Sequence, residues 1–203
     1  MALPKLIATV GEKENISNKG GFTKLYAVPF AGVNVQPPLI QYDSSNAATS
    51  ITLLTMQTGD ITLKAGYSWS DFEMDIESGK IDTNYVGDPL YQTPESMIAF
   101  RIPNHSAQKL AATRARIATD KFLLVFRLPD QNYGGEVSAT YSPWRVLGDK
   151  NVGYYAAIST NNGTSGEGVK GKNMVEITFT CNGLEPYIYQ PTGGIFPPPP
   201  PTP

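Results

Sequence analysis

The sequence predicts an α+β chain that is mainly β: an antiparallel β-sandwich or split barrel with a single packed α-helix, plus extended loops and terminal arms. Three observations carry this. Glycine and proline supply 19 and 17 of the 203 residues, which favours many turns over long helices. About ten short runs are rich in β-branched and aromatic residues and are bounded by turn formers. One stretch alone, Ser106 to Thr119, carries a helical period. The chain is long enough for one domain with a proper core. It divides into residues 1–24 (an N-terminal strand and polar arm), 25–190 (a single β-rich domain) and 191–203 (a proline-rich extended tail).

Taken in order, Lys5 to Val10 reads as a short strand. Gly11 to Gly21 is polar and glycine-ended, so it reads as an arm or loop. Phe22 to Phe30 is strand-like. Ala31 to Ser50 contains Pro37-Pro38 and the polar run Asp43-Ser44-Ser45-Asn46, and reads as a long loop, either functional or disordered. Ile51 to Met56 and Ile61 to Lys64 are short β-rich runs. Met97 to Ile102 is an apolar strand ending at Pro103, which cannot donate to a ladder. Asn104 or Ser106 then caps the helix.

On that helix Ala107, Leu110, Ala111, Ala115, Ile117 and Ala118 fall on one stripe roughly 160° wide, as expected of a surface helix packed on a sheet. Leu110, Ala111 and Ile117 are the main core contacts of this face. Arg114 also falls inside the stripe. It either snorkels to the edge or meets a carboxylate across a subunit contact. Phe122 to Leu128 is apolar almost throughout and reads as a central strand buried on both faces. Val137 to Leu147 and Val152 to Thr160 read as further strands, and Asn161 to Asn173 as a glycine-rich loop. Val175, Ile177 and Phe179 alternate with Glu176, Thr178 and Thr180, the period of a half-buried strand. Pro186 to Tyr189 adds a last short strand. Phe196 and the five prolines after it are expected to be extended and to stay out of the core.

The most unusual stretch is Asp71-Phe72-Glu73-Met74-Asp75-Ile76-Glu77, followed by Ser78-Gly79 and Lys80 to Tyr85. Read as a strand, it puts Asp71, Glu73, Asp75 and Glu77 on one face and Phe72, Met74 and Ile76 on the other. Ser-Gly serves as a two-residue hairpin turn. That register sets Asp75 opposite Asp82 and Ile76 opposite Ile81. Opposed like charges destabilise a sheet, so the acidic face must be in water. It is either an ordinary solvated face or an acidic surface that repels a polyanion or binds cations.

Composition narrows the chemistry. A net charge of −2 argues against a nucleic-acid-binding surface, which needs a basic excess. A single cysteine, Cys181, and a single histidine, His105, leave no intrachain disulfide and no Cys/His zinc cluster. No signal peptide or membrane span is read at the start, so the chain is expected to fold in a cytoplasm. Gly166-Glu167-Gly168-Val169-Lys170-Gly171 matches a dinucleotide fingerprint, but that mechanism needs a following helix, and a strand follows here. His105 has no nucleophile elbow near it. Cys181 sits on an apolar-alternating strand, where a partly buried thiol is the default. The acidic run lacks the glycine and the wrap of a calcium loop. Neither a catalytic residue, a metal site nor a cofactor is expected. Phe196-Pro197-Pro198-Pro199-Pro200 matches a proline-groove ligand and also reads as a solvated spacer.

The order Met97-Ile98-Ala99-Phe100-Arg101-Ile102-Pro103, one helix, Phe122-Leu123-Leu124-Val125-Phe126-Arg127-Leu128-Pro129-Asp130, then Arg145-Val146-Leu147-Gly148, a glycine loop, Val175 to Phe179 and Glu185 to Tyr189 resembles the major tail (tail tube) proteins of long-tailed bacteriophages. The type VI secretion inner tube shares that architecture. The resemblance implies a structural, non-enzymatic virion protein. It would be made in the host bacterial cytoplasm and assembled into stacked rings, expected to be hexameric, with inner sheets joined into one barrel. Its partners would be copies of itself and other tail proteins, such as the tape measure and the tail terminator. DNA would pass through without specific binding, and no membrane is involved. In that setting Asp71, Glu73, Asp75, Glu77 and Asp82 would line an acidic lumen, while Gly11 to Gly21 and Ala31 to Ser50 would stitch ring to ring. The alternatives are another virion component, a head decoration or connector protein, and then a β-sandwich binding module.

Overall fold

The computed structural model of the chain describes residues 21–38, 56–72, 74–75, 78–88, 90–103, 121–129, 142–164, 174–192 and 196–197. Twelve strands are defined: β1 Lys24–Pro29, β2 Val33–Val35, β3 Met56–Thr58, β4 Thr62–Leu63, β5 Ser70–Asp71, β6 Lys80–Val86, β7 Thr93–Pro103, β8 Phe122–Arg127, β9 Trp144–Leu147, β10 Ala157–Thr164, β11 Met174–Asn182 and β12 Tyr187–Gln190. A six-stranded sheet has the order β3-β12-β9-β8-β1-β5, a four-stranded sheet the order β10-β11-β7-β6, and β2 pairs with β4 as a separate ribbon. The pairings are antiparallel except β3 with β12. The mainly β expectation holds.

Strand β8 organises the packing. Its sequence Phe-Leu-Leu-Val-Phe is buried at five consecutive positions, because alternating side chains meet apolar neighbours on both faces. Phe122, Leu124 and Phe126 join one buried cluster with Leu25 and Ala27 of β1, Ile98 and Phe100 of β7, and Ile177 and Phe179 of β11. Both sheets therefore contribute to a single core. Leu123 and Val125 join a second cluster on the other face, with Tyr26, Val28, Trp144, Val146, Tyr187 and Tyr189. Strand β11 follows its expected alternation: Val175, Ile177, Phe179 and Cys181 are buried, and Glu176, Thr178 and Thr180 are half-buried.

The acidic hairpin does not form. The chain crosses from one sheet to the other between Asp71 and Lys80. Asp71 lies opposite Tyr26 in the six-stranded sheet, and Phe72 N–H donates to Leu25 O at 3.2 Å. Asp75 N–H donates to Arg101 O at 2.9 Å. Strand β6 then pairs with β7, setting Ile81 opposite Ile98 and Asp82 opposite Met97. The physical reason lies in the first half of the stretch: Asp71 and Phe72 are held by β1 and Asp75 by Arg101 O, so it does not lie along β6, and the hairpin would also have set Asp75 against Asp82. Phe72 and Met74 still turn inward, against the shared core. Ser78-Gly79 is not a two-residue turn. Ser78 Oγ donates to Asp75 O at 2.6 Å and accepts from Arg101 N–H at 3.0 Å. A Cβ on Gly79 would come within 2.8 Å of Phe22 O, so the glycine is needed for room.

Other expectations change in detail. Val33–Val35, inside the stretch read as a loop, forms β2. The strand expected from Val152 begins at Ala157, because Asp149 first closes a turn: its N–H donates to Tyr154 O at 2.7 Å and its carbonyl accepts from Gly153 N–H at 2.8 Å. Strand β10 continues to Thr164, into the segment read as loop. Phe196 is 6% exposed and belongs to the second cluster, so the tail does reach the core at that residue. The expected helix, with Leu110, Ala111, Arg114 and Ile117, lies outside the described residues, as do Lys5 to Val10 and most of Ala31 to Ser50.

A buried polar knot holds the ribbon to the six-stranded sheet. Gln36, 3% exposed, donates through Nε2 to Gly148 O at 3.0 Å and to Tyr187 Oη at 2.8 Å. Its Oε1 accepts from Lys150 N–H at 2.8 Å, and its backbone carbonyl accepts from Asn151 Nδ2 at 3.1 Å. Tyr187 Oη donates to Gly148 O at 2.8 Å, and Lys150 Nζ donates to Val33 O. Gln36→Leu keeps the bulk and strands Lys150 N–H and the Tyr187 oxygen. A loss of about 2–3 kcal/mol is expected, read as a lower urea midpoint at unchanged slope.

Candidate functional site

The four-stranded sheet is the surface best suited to interaction. Its inner face is spent on the core through Ile81, Ile98, Phe100, Ile177 and Phe179. The period of two therefore turns Lys80 and Asp82 of β6, Glu95, Met97, Ala99 and Arg101 of β7, and Glu176, Thr178 and Thr180 of β11 to the opposite face. The register makes continuous rows across it: Asp82, Met97, Thr180 and Ala157 in one, Lys80, Ala99, Thr178 and Thr160 in the next. Hydroxyls tie the rows together. Thr180 Oγ1 donates to Ser159 Oγ at 2.8 Å, and Ser159 Oγ donates to Thr178 O at 3.3 Å. The two cations on the face sit beside carboxylates: Lys80 Nζ lies 2.6 Å from Asp82 Oδ2, and Arg101 Nε lies 3.9 Å from Glu176 Oε2.

The acidic residues picked from the sequence are dispersed. Asp82 is on this outer face. Asp71 is exposed on β5, in the other sheet. Asp75 is half-buried at the crossing. Glu73 and Glu77 lie outside the described residues. The three described carboxylates do not form one row, and a wall made of all five is not supported by their register.

The sheet's two margins were missed in the sequence reading. Among the described residues, the outer sides of β6 and β10 pair with no strand. The sheet alternates in direction through four strands, so β6 and β10 run opposite to each other. No sequence signal marked them as edges: β6 and β10 span 7 and 8 residues, long for edges that proteins usually keep short. Strand β10 carries a bulge between Ile158 and Thr160.

The β6–β7 connection adds an apolar tip. Leu90 and Tyr91 are 82% and 81% exposed, beside exposed Tyr85 and Val86. The tip is shaped by Asp88, whose carboxylate accepts from Leu90 N–H at 3.0 Å and whose carbonyl accepts from Tyr91 N–H at 2.8 Å. Gly87 has φ +124, and a Cβ there would lie 2.9 Å from Tyr91 O, so a side chain is excluded on both counts. Tyr85 Oη donates to Glu185 Oε2 at 2.7 Å, and this carboxylate raises the phenol's pKa.

Among the described residues, no cluster of three or more His, Cys, Asp or Glu side chains is placed to hold a metal ion. Cys181 is fully buried, and burial pushes its thiol up to about 11, away from the thiolate a nucleophile needs. The fingerprint at Gly166 to Gly171 lies outside the described residues, and the strands that flank it, β10 and β11, pair with each other. Among the described residues no helix is long and apolar enough to cross a membrane. Comparison with known protein families, with curated proteins and with solved structures finds no match.

Proposed function

We propose that this chain is a structural virion protein that assembles through its four-stranded sheet into rings stacked as a phage tail tube. The observation that carries the reading is the pair of margins, β6 and β10, that are unpaired among the described residues and run opposite to each other. A second copy set beside the first by rotation brings β10 against β6 in antiparallel order, so the alternation continues across the boundary. This contact is heterologous, and it closes into a ring when the rotation divides a full turn, six copies being the number the resemblance implies. The core shared by the two sheets is read as the interior of a β-sandwich, with the four-stranded sheet facing the channel and the six-stranded sheet outside.

The channel chemistry follows from that face. The face mixes Thr and Ser hydroxyls with charges, and its described cations, Lys80 and Arg101, each sit beside a carboxylate. DNA gains affinity for proteins mainly by exchanging counterions for fixed cations, so a surface with its cations already paired lets DNA slide by. The lumen reading thus rests on paired cations and on Asp82, rather than on a continuous acidic wall.

Assembly is tested by negative-stain microscopy of the purified chain, where rings or short tubes are expected. A strictly monomeric chain at high concentration, even with tail-tip components added as nuclei, would sink the proposal. Proline scanning of β6 isolates the edge. Successive N–H groups of an edge strand point alternately to its neighbour and away. One of Thr83→Pro and Asn84→Pro therefore removes a bond to β7 and lowers stability by about 3 kcal/mol. The other removes an outward N–H, which an edge tolerates, and it is expected to stay folded and lose ring formation. Rings from both variants would exclude β6 from the contact.

A further inference from the structure

The far face of the six-stranded sheet carries an aromatic box with one occupant. Phe196 lies among Trp69, Trp144, Tyr26 and Tyr189, with ring centroids 4.9, 5.2, 5.4 and 5.5 Å away. All four contacts are edge-on, with interplanar angles of 61 to 84°, the arrangement that brings positive ring edges to negative faces. Tyr26, Trp144 and Tyr189 stand on β1, β9 and β12, strands held by their ladders and by the core beneath. These three walls therefore do not depend on the occupant.

The occupant arrives on a tether. Thr192 N–H donates to Asp60 Oδ1 at 2.9 Å, and Gly59 N–H donates to Gln190 O at 3.0 Å, fixing the chain just after β12. Gly193-Gly194-Ile195 separates that anchor from Phe196, and five prolines follow it. Proline has no N–H to desolvate and a preset φ, which suits a segment laid on an aromatic surface.

We propose that the box is a docking site for an aromatic–proline peptide segment, filled by the chain's own Phe196-Pro197. The C-terminal residues are then a tethered ligand, and the site holds the start of the proline run on the sheet face that is turned away from the four-stranded sheet. The inference stands apart from the tube reading, because neither β6 nor β10 takes part in it.

The two tryptophans of the chain are Trp69 and Trp144, and both line the box, so intrinsic fluorescence reads this site alone. In the full-length Phe196→Ala variant the emission is expected to shift to the red. Adding the peptide Gly-Gly-Ile-Phe-Pro-Pro-Pro-Pro-Pro-Thr-Pro is expected to reverse the shift and to saturate. A three-residue link supplies an effective concentration in the millimolar range, so docking in the intact chain requires half-saturation below about 1 mM. The same peptide with alanine for phenylalanine is expected to be on the order of 100-fold weaker. An unshifted variant, or a shift that the peptide fails to reverse in a folded variant, overturns the proposal. Should Phe196→Ala fail to fold, the wild-type chain in urea decides. A tryptophan shift that precedes the loss of far-ultraviolet circular dichroism supports a separable docked segment. Coincident transitions make Phe196 an integral core residue and overturn the docking site.

Discussion

Phe100→Ala is expected to remove about 3–5 kcal/mol of unfolding free energy. Domains of this size are stable by only about 5–15 kcal/mol, so the variant stands near the edge of folding. The reason is position. Phe100 is 1% exposed and sits on β7, opposite Ile177, at the plane where the two sheets meet. Its ring contacts Phe72 at 5.2 Å, Phe22 at 6.2 Å and Phe179 at 6.2 Å, the last nearly parallel at 13°. These neighbours come from the crossing segment, the stretch before β1, and β11. One truncation therefore opens a cavity that both sheets line, and rigid ladders on either side keep it from collapsing. Urea titration checks this, with the slope expected to stay constant. Tyr91→Ala is the control: it is similarly aromatic but fully at the surface, and its stability is expected to change by less than about 0.5 kcal/mol. A Phe100→Ala loss as small as the control's would mean that the two sheets do not share a core.

The second large effect is alkaline loss of stability. Burial raises the pKa of Cys181 from 9.0 to about 11 and of Tyr189 from 10.0 to about 12. It raises Tyr187 as well, with the nearby Asp149 carboxylate adding to the effect. In each case the folded chain holds its proton more tightly than the unfolded chain. The stabilisation is fully present below the unfolded pKa and is lost as pH rises through the folded one. The Cys181 contribution thus fades between pH 9.0 and about 11, and that of Tyr189 between pH 10.0 and about 12. Tyr187 adds to the loss from pH 10.0 upward. Urea midpoints should be flat from pH 7 to pH 8.5 and fall steeply beyond pH 10. Tyrosinate absorbance should appear in step with unfolding for the buried pair. A midpoint unchanged at pH 11 would show that these groups reach water without unfolding. Tyr187→Phe separates the contributions: it removes the ionisable group and also the hydrogen bonds to Gln36 and Gly148, so it starts less stable and falls less with pH.

Strand identity was largely legible in the sequence. The unbroken apolar run at Phe122 foretold burial on both faces, and the alternation from Val175 to Thr180 foretold one wet face. Both are consequences of a side-chain period of two, which each strand carries locally. The same period foretold that Phe72 and Met74 would turn inward. It had no power over partner choice. Asp71 to Tyr85 looks like a hairpin because its two halves are adjacent, yet Asp71 and Phe72 pair with β1 in the other sheet. The polar knot had no sequence signal either: Gln36 lies in a proline-bearing stretch, and its partners come from Gly148, Lys150 and Tyr187, more than a hundred residues on. Phe196 looked like the head of a solvated tail, because only the folded sheet brings Tyr26, Trp69, Trp144 and Tyr189 to one place.

The sequence by itself thus determined the β class, the turn-rich punctuation, the two-sided burial of β8 and the inward faces of β11 and of Phe72 and Met74. Only the tertiary structure decided which strands pair and where Asp71, Asp75, Asp82 and Phe196 end up. Faces follow from local backbone geometry and residue type. Pairing is a competition among ladders distant in the chain, settled by how many hydrogen bonds and buried side chains each alternative gains against the entropy of closing its loop.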